Sequence, residues 1–180
     1  MRRRGGGRIA NIASVGGVIA VPHLMPYSTS KFALVGLSQG MYAELAKDQI
    51  AVSTIVPGLM RTGSPPHVML KGDHQKEYAW FTVSDSLPFI SMSSTRAAKQ
   101  IVSAIEYGKP YVVLGVPAKI AALASGMFPG LMNRLMSLVT SLLPSSADPR
   151  VKMGREAESR ITKSFLTLAS RKAGLRNNEC

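Results

Sequence analysis

Ser14, Tyr27 and Lys31 bring a hydroxyl, a phenol and an ammonium group into one short stretch of chain. Such a set can move a proton to or from a carbonyl oxygen. Tyr27 and Lys31 are spaced to fall on one face of a helix. A positive charge one turn away favours the phenolate. That fits Tyr27 for general acid or base work, a role worth roughly 10² to 10⁴ in rate. Ser14 can hold the reacting oxygen beside it, contributing position more than proton transfer. A tyrosine four residues before a lysine is common by itself, and a serine at a strand end is commoner still. The conjunction, in the right structural setting, is the specific signal.

The surrounding pattern predicts the elements that would position these groups. Residues 8–14 form a short, mostly apolar run closed by Ser14 and Gly16-Gly17, which reads as a buried strand with a loop at its carboxyl end. Its apolar character predicts burial on both faces. Residues 28–47 read as a helix, with Ser28 as its cap and Leu34, Leu37, Met41 and Leu45 at three- and four-residue steps. Residues 50–56 read as a second strand, stopped by Pro57-Gly58. Residues 61–93, rich in Gly and Pro, read as a long surface excursion of the lid or substrate-loop kind. A helix from Ser94 or Thr95 then places Ala98, Ile101, Val102 and Ile105 on one face and ends at Gly108. Residues 111–114 make the third strand. This alternation predicts a parallel α/β sheet with crossover helices.

Beyond Pro117 lie two apolar stretches, 120–128 and 131–143, separated by Pro129-Gly130. In the second, Leu131, Leu135, Leu138 and Leu142 line one helical stripe. A cover over a substrate pocket or a subunit contact is the first reading of this segment. An interfacial membrane helix is the second, and the run is too interrupted for a transmembrane span. The methionines near residue 130 read as packing. From residue 145 the chain is polar and basic, with frayed last residues expected. The predicted organisation is thus 1–117, an apolar helical extension over 118–144 and a basic tail over 145–180.

The net charge of +12 raises the question of nucleic acid. The basic residues gather at the two ends without interleaved aromatic residues, so a solvated basic surface is preferred over a nucleic-acid interface. The one cysteine, Cys180, excludes an internal disulfide and fits a reducing, cytoplasmic setting. The N-terminal arginines precede glycines rather than a long apolar run, so no cleavable secretory signal is read there. His23, His67 and His74 lack metal-ligand spacing and read as surface or loop histidines; no metal site is predicted.

Three segments carry a family resemblance: Ile9-Ala10-Asn11-Ile12-Ala13-Ser14, Tyr27-Ser28-Thr29-Ser30-Lys31 and Pro57-Gly58-Leu59-Met60-Arg61-Thr62. In order and separation they resemble successive motifs of the short-chain dehydrogenase/reductase family, over roughly residues 8–115. The resemblance implies that Ser14 orients the substrate oxygen and that Tyr27 exchanges the proton. It implies that Lys31 holds the nicotinamide ribose and tunes the tyrosine, and that Pro57, Gly58 and Thr62 border the nicotinamide. The implied fold class is α/β: a partial Rossmann-type parallel sheet with flanking helices and a helical C-terminal extension. The implied cofactor is NAD or NADP, and the implied reaction is reversible hydride transfer at a carbonyl or secondary alcohol of a small molecule; the apolar Met-, Leu- and Phe-rich segment beyond Pro117 points to a hydrophobic one.

One family element does not match. Gly5-Gly6-Gly7-Arg8-Ile9-Ala10 fits a G-x-G-x-x-A pattern but precedes a strand instead of following one, so it is read as a decoy. The expectation is therefore a C-terminal portion of such an enzyme, with the Gly-rich cofactor segment upstream. The alternative is a noncatalytic fragment or interaction module that pairs with a dehydrogenase-like subunit. Homo-oligomerisation and a peripheral membrane contact are compatible with either.

Overall fold

The apolar run at 50–56 becomes the middle strand of a three-stranded parallel sheet. The computed structural model describes residues 1–87, 89–146, 148–164 and 167–179; Cys180, named above, and Pro88, one of the prolines of the predicted excursion, lie outside the described residues. In chain order the elements are β1 (Gly7–Ile12), α1 (Met25–Leu45), β2 (Ile50–Pro57), β3 (Met60–Arg61), β4 (Met69–Lys71), α2 (His74–Ser86) and β5 (Met92–Ser93). They continue with α3 (Ser94–Glu106), β6 (Tyr111–Leu114), α4 (Val116–Met127), α5 (Pro129–Leu142), β7 (Val151–Met153) and α6 (Leu168–Arg176). The chain packs as two units, Met1–Gly58 with Thr95–Ser141, and Leu59–Ser94 with Leu142–Cys180.

The first unit holds the sheet, in the order β1-β2-β6 with every pairing parallel. The α/β class read above is thus the one observed. Val52, Ile55, Val56 and Leu114 are completely buried, as expected of a central strand covered on both faces. Ala13, Val35 and Val56 form a cluster, with Val18, Leu34 and Val113 packed against it. β1 departs from expectation. Among the described residues it pairs with β2 alone, most of its residues are half-buried and Ile12 is exposed. An apolar composition does not distinguish a central strand from an edge one.

Helix α1 begins three residues before the predicted cap. Pro26 stands at its first positions, where a fixed φ and a missing N–H cost nothing. Ser28 is inside the helix, and its Oγ accepts from the Val21 N–H at 3.2 Å. The buried face is Ser28, Val35 and Ser38, while Leu37 is exposed. Helix α3 likewise buries Ala97 and Ala104 and exposes Ala98 and Val102. Its end is as read: Gly108 takes φ 60°, and the Lys109 N–H closes on the Ala104 carbonyl at 2.9 Å.

Helices α4 and α5 are built inside out. Along α4, Ala118 is buried and Ala121, Ala122 and Ser125 are half-buried. Val116, Ile120, Leu123 and Met127, on the opposite face, are exposed. Helix α5 buries no residue fully and exposes Leu131, Leu135, Leu138 and Leu142. Among the described residues, no helix is long and apolar enough to cross a membrane.

The second unit replaces the predicted surface excursion with ordered elements. β3 pairs with β5 in parallel, and β4 pairs with β7 antiparallel, Met69 opposite Met153. The basic tail therefore contributes a strand and, further on, α6. Asp73 caps α2 by accepting from the Lys76 N–H at 3.2 Å. His74 is buried in that helix, with Nε2 2.8 Å from the Arg150 carbonyl, contrary to its reading as a surface or loop histidine. Asp85 is buried in the same helix, and burial pushes its carboxyl up to about 7.

Candidate active site

The carboxyl ends of β1 and β2 lie side by side, with the Ala13 N–H donating to the Ile55 carbonyl at 2.7 Å. Open parallel sheets bind ligands at this edge. Ser14 leaves β1 in extended conformation and caps a single 3-10 turn at Val15–Gly17, where its Oγ accepts from the Gly16 N–H at 3.1 Å. The turn and the start of α1 meet closely. A Cβ on Gly16 would lie 3.0 Å from Cε1 of Tyr27, and one on Gly17 would lie 2.6 Å from the Lys31 carbonyl oxygen. Only glycine permits this approach.

Lys31 reaches back across that turn. Its Nζ donates to the Ile12 carbonyl at 3.1 Å and stands 5.7 Å from the centre of the Tyr27 ring. The ammonium group is thereby held between the end of β1 and the face of the phenol, a cation–π arrangement. Tyr27 as a residue is exposed. The structure brings Tyr27 and Lys31 together, and it sets Ser14 on the turn whose Gly16 touches the Tyr27 ring.

Pro57 ends β2, buried, and the Gly58 N–H donates to the Leu114 carbonyl at 3.0 Å. A Cβ on Gly58 would lie 2.8 Å from Cβ of Ala118, so the first turn of α4 packs directly on this turn. Farther along, Ser125 Oγ donates to the Val18 carbonyl at 2.9 Å. Helix α4 thus spans from the Pro57-Gly58 turn to the segment after Ser14. Thr62 belongs to the second unit. There its Oγ1 lies 2.9 Å from Ser64 Oγ and accepts from the Ser64 N–H at 3.3 Å.

Four of the residues that shape this edge were not read from the sequence as part of it: Gly16, Gly17, Ala118 and Ser125. The glycine pair carried a signal, since two glycines directly after a strand-end serine announce a close backbone approach. Ala118 and Ser125 carried only a faint one, since small residues recur throughout that helix. Gly17→Ala tests the packing. We expect it to lower stability by about 1–3 kcal/mol, because two backbone segments must separate. Urea denaturation of the variant measures that loss, and an unchanged midpoint would contradict the packing described.

Residues 1–69 match the family model described as short chain dehydrogenase. Over 62 residues, 34% of this chain and 22% of the relative, the sequence is 45% identical to Dehydrogenase/reductase SDR family member 4 of Rattus norvegicus. The fold resembles a short chain dehydrogenase of Burkholderia cenocepacia solved in complex with NADP. There the TM-score is 0.56 at 22% identity, over 74% of this chain and 48% of that one. It also resembles L-sorbose reductase of Gluconobacter frateurii, solved with NADPH and L-sorbose, with a TM-score of 0.51 at 24% identity over 64% and 48%. The similarity to the short-chain dehydrogenase/reductase family is thus carried by residues 1–69 of the chain. The chain spans under a quarter of the rat relative and about half of each solved chain.

Proposed function

We propose that this chain carries the proton-transfer half of a nicotinamide-dependent oxidoreductase site. The reaction is reversible reduction of a carbonyl to a secondary alcohol. The observation that carries the reading is the Lys31 ammonium group, tied to the Ile12 carbonyl and seated over the Tyr27 ring.

The donor set fits one end of a nicotinamide cofactor. The Lys31 ammonium has three donors and spends one on Ile12, which leaves two for ribose hydroxyls. Pro57 and Gly58 stand at the neighbouring strand end, where a flat ring can lie against the turn; Thr62 is assigned to its carboxamide by family resemblance alone. The pyrophosphate end has no counterpart among the described residues. Gly5, Gly6 and Gly7 lead into β1 rather than from a strand into a helix.

When bound, the nicotinamide supplies or accepts the hydride. The chain's own groups do the rest. Ser14 Oγ accepts from the Gly16 N–H, so its hydrogen is free to donate to the substrate oxygen and fix it beside Tyr27. Tyr27 gives its proton to that oxygen in reduction and takes it back in oxidation. Lys31 keeps positive charge at the phenol as that proton leaves.

A second reading has its own observation. Among the described residues β1 pairs on one side only, so its other side offers backbone donors and acceptors to a strand of a dehydrogenase-like subunit or a second copy. Titrating the folded chain with NADH and with NADPH, followed by nicotinamide fluorescence, separates the two and identifies the preferred cofactor. Saturable binding is expected for the catalytic reading. A cooperatively folded chain that binds neither cofactor but associates with a dehydrogenase-like subunit would favour the interaction module.

A further inference from the structure

Residues 116–127 and 131–142 repeat one pattern at an offset of fifteen residues. Val116, Ile120, Leu123 and Met127 correspond to Leu131, Leu135, Leu138 and Leu142. Lys119 corresponds to Arg134, and Ser125 to Thr140. In each helix the four apolar residues fall within a narrow arc, at steps of four, three and four. The cation lies at the rim of that arc, about 70° from its centre at the usual 100° per residue. All eight apolar residues and both cations are exposed, as is Phe128 between the helices.

This arrangement is the reverse of a helix that packs by its apolar side. Helix α4 is fastened by small residues, with Ala118 against Gly58 and Ser125 on the Val18 carbonyl. It turns its bulky residues outward. A stripe of this kind needs an apolar occupant. Charge indicates which. Between residues 107 and 147 there is no Asp or Glu, while Lys109, Lys119 and Arg134 are cationic. A second copy would bring a like-charged segment, and a chain of net charge +12, against the same face. An anionic lipid surface complements both features. It takes leucine, isoleucine and methionine side chains at the acyl boundary, while rim cations extend to the headgroups.

We infer that α4 and α5 form a tandem interfacial anchor that lies on an anionic bilayer without crossing it. The inference does not rest on the proton-transfer reading, although α4 borders that site, and its test reads binding rather than turnover.

The test is flotation of the full chain with vesicles of phosphatidylcholine, with and without phosphatidylserine. Binding to the anionic vesicles is expected, and Leu123→Asp with Leu138→Asp should reduce it by about tenfold or more. Lys119→Glu with Arg134→Glu should weaken it at low salt, with the difference shrinking as salt rises. Amide exchange of the unmodified chain gives a second readout that needs no variant. Protection on adding anionic vesicles should centre on residues 116–142. Absence of vesicle binding overturns the inference. So does binding unaffected by the double aspartate variant, or protection confined to the basic tail. A dimer that this variant dissociates, with no vesicle binding, would assign the face to a second copy instead.

Discussion

Replacing Tyr27 with phenylalanine should lower carbonyl-reduction turnover by roughly 10² to 10⁴ while leaving the fold intact, the range for losing one positioned acid–base group. The geometry makes this a clean substitution. The Tyr27 ring packs on Gly16 and faces the Lys31 ammonium, and phenylalanine keeps both contacts. Only the hydroxyl is lost, and that is the atom assigned to the proton. Ser14→Ala is less discriminating, because Ser14 also caps the turn that carries Gly16. Its effect would mix a lost substrate contact with a loosened turn. Steady-state kinetics of the phenylalanine variant, with either nicotinamide, is the measurement. Turnover equal to that of the unsubstituted chain would remove Tyr27 from the mechanism.

The second large effect concerns stability and pH. Burial raises the Asp85 carboxyl to about 7 from an ordinary 3.8. In the unfolded chain this group loses its proton above about pH 4, whereas in the folded chain it keeps it to about pH 7. Between those values the folded state holds more protons, so stability falls as pH rises from about 4 to about 7 and levels off beyond. Three pKa units correspond to about 4 kcal/mol as an upper figure. Asp85→Asn keeps the shape and removes the titration. Its stability relative to the parent should be near parity at about pH 4 and higher by about 2–4 kcal/mol at about pH 8. Denaturant unfolding at several pH values gives the difference directly, and a pH-independent difference would mean that Asp85 ionises freely in the fold.

The strands and the proximity of Tyr27 to Lys31 were legible because they are local. Residues 50–56 and 111–114 announce themselves by apolar runs bounded by Pro and Gly, and the positions of Tyr27 and Lys31 follow from helical geometry. The second unit was not legible. Helix α2 buries His74, Glu77, Tyr78, Thr82, Asp85 and Ser86, a face so polar that no hydrophobic period marks it. β4 is three residues long and finds its partner in the tail, a pairing that no nearby residue encodes. In α1 and α3 the predicted faces hold in part: Leu34, Met41, Leu45, Ile101 and Ile105 are half-buried, while small Ala and Ser residues take the deepest positions beside Val35 and leave Leu37, Ala98 and Val102 outside. The site was read through its chemical groups. The glycines and the α4 residues that shape its edge act by being small, and smallness leaves little trace in composition.

The interleaving of the two units along the chain sets a timetable for biosynthesis. The strand that closes β4 arrives only with residues 151–153, after both helical stripes have left the ribosome. Until then β4 has been made without its partner strand. A nascent chain from which residues 116–142 have emerged, with 151–153 still inside the ribosome, would present the outward leucines of α4 and α5 while β4 lacks its partner strand. Attachment to a surface could therefore precede completion of the fold.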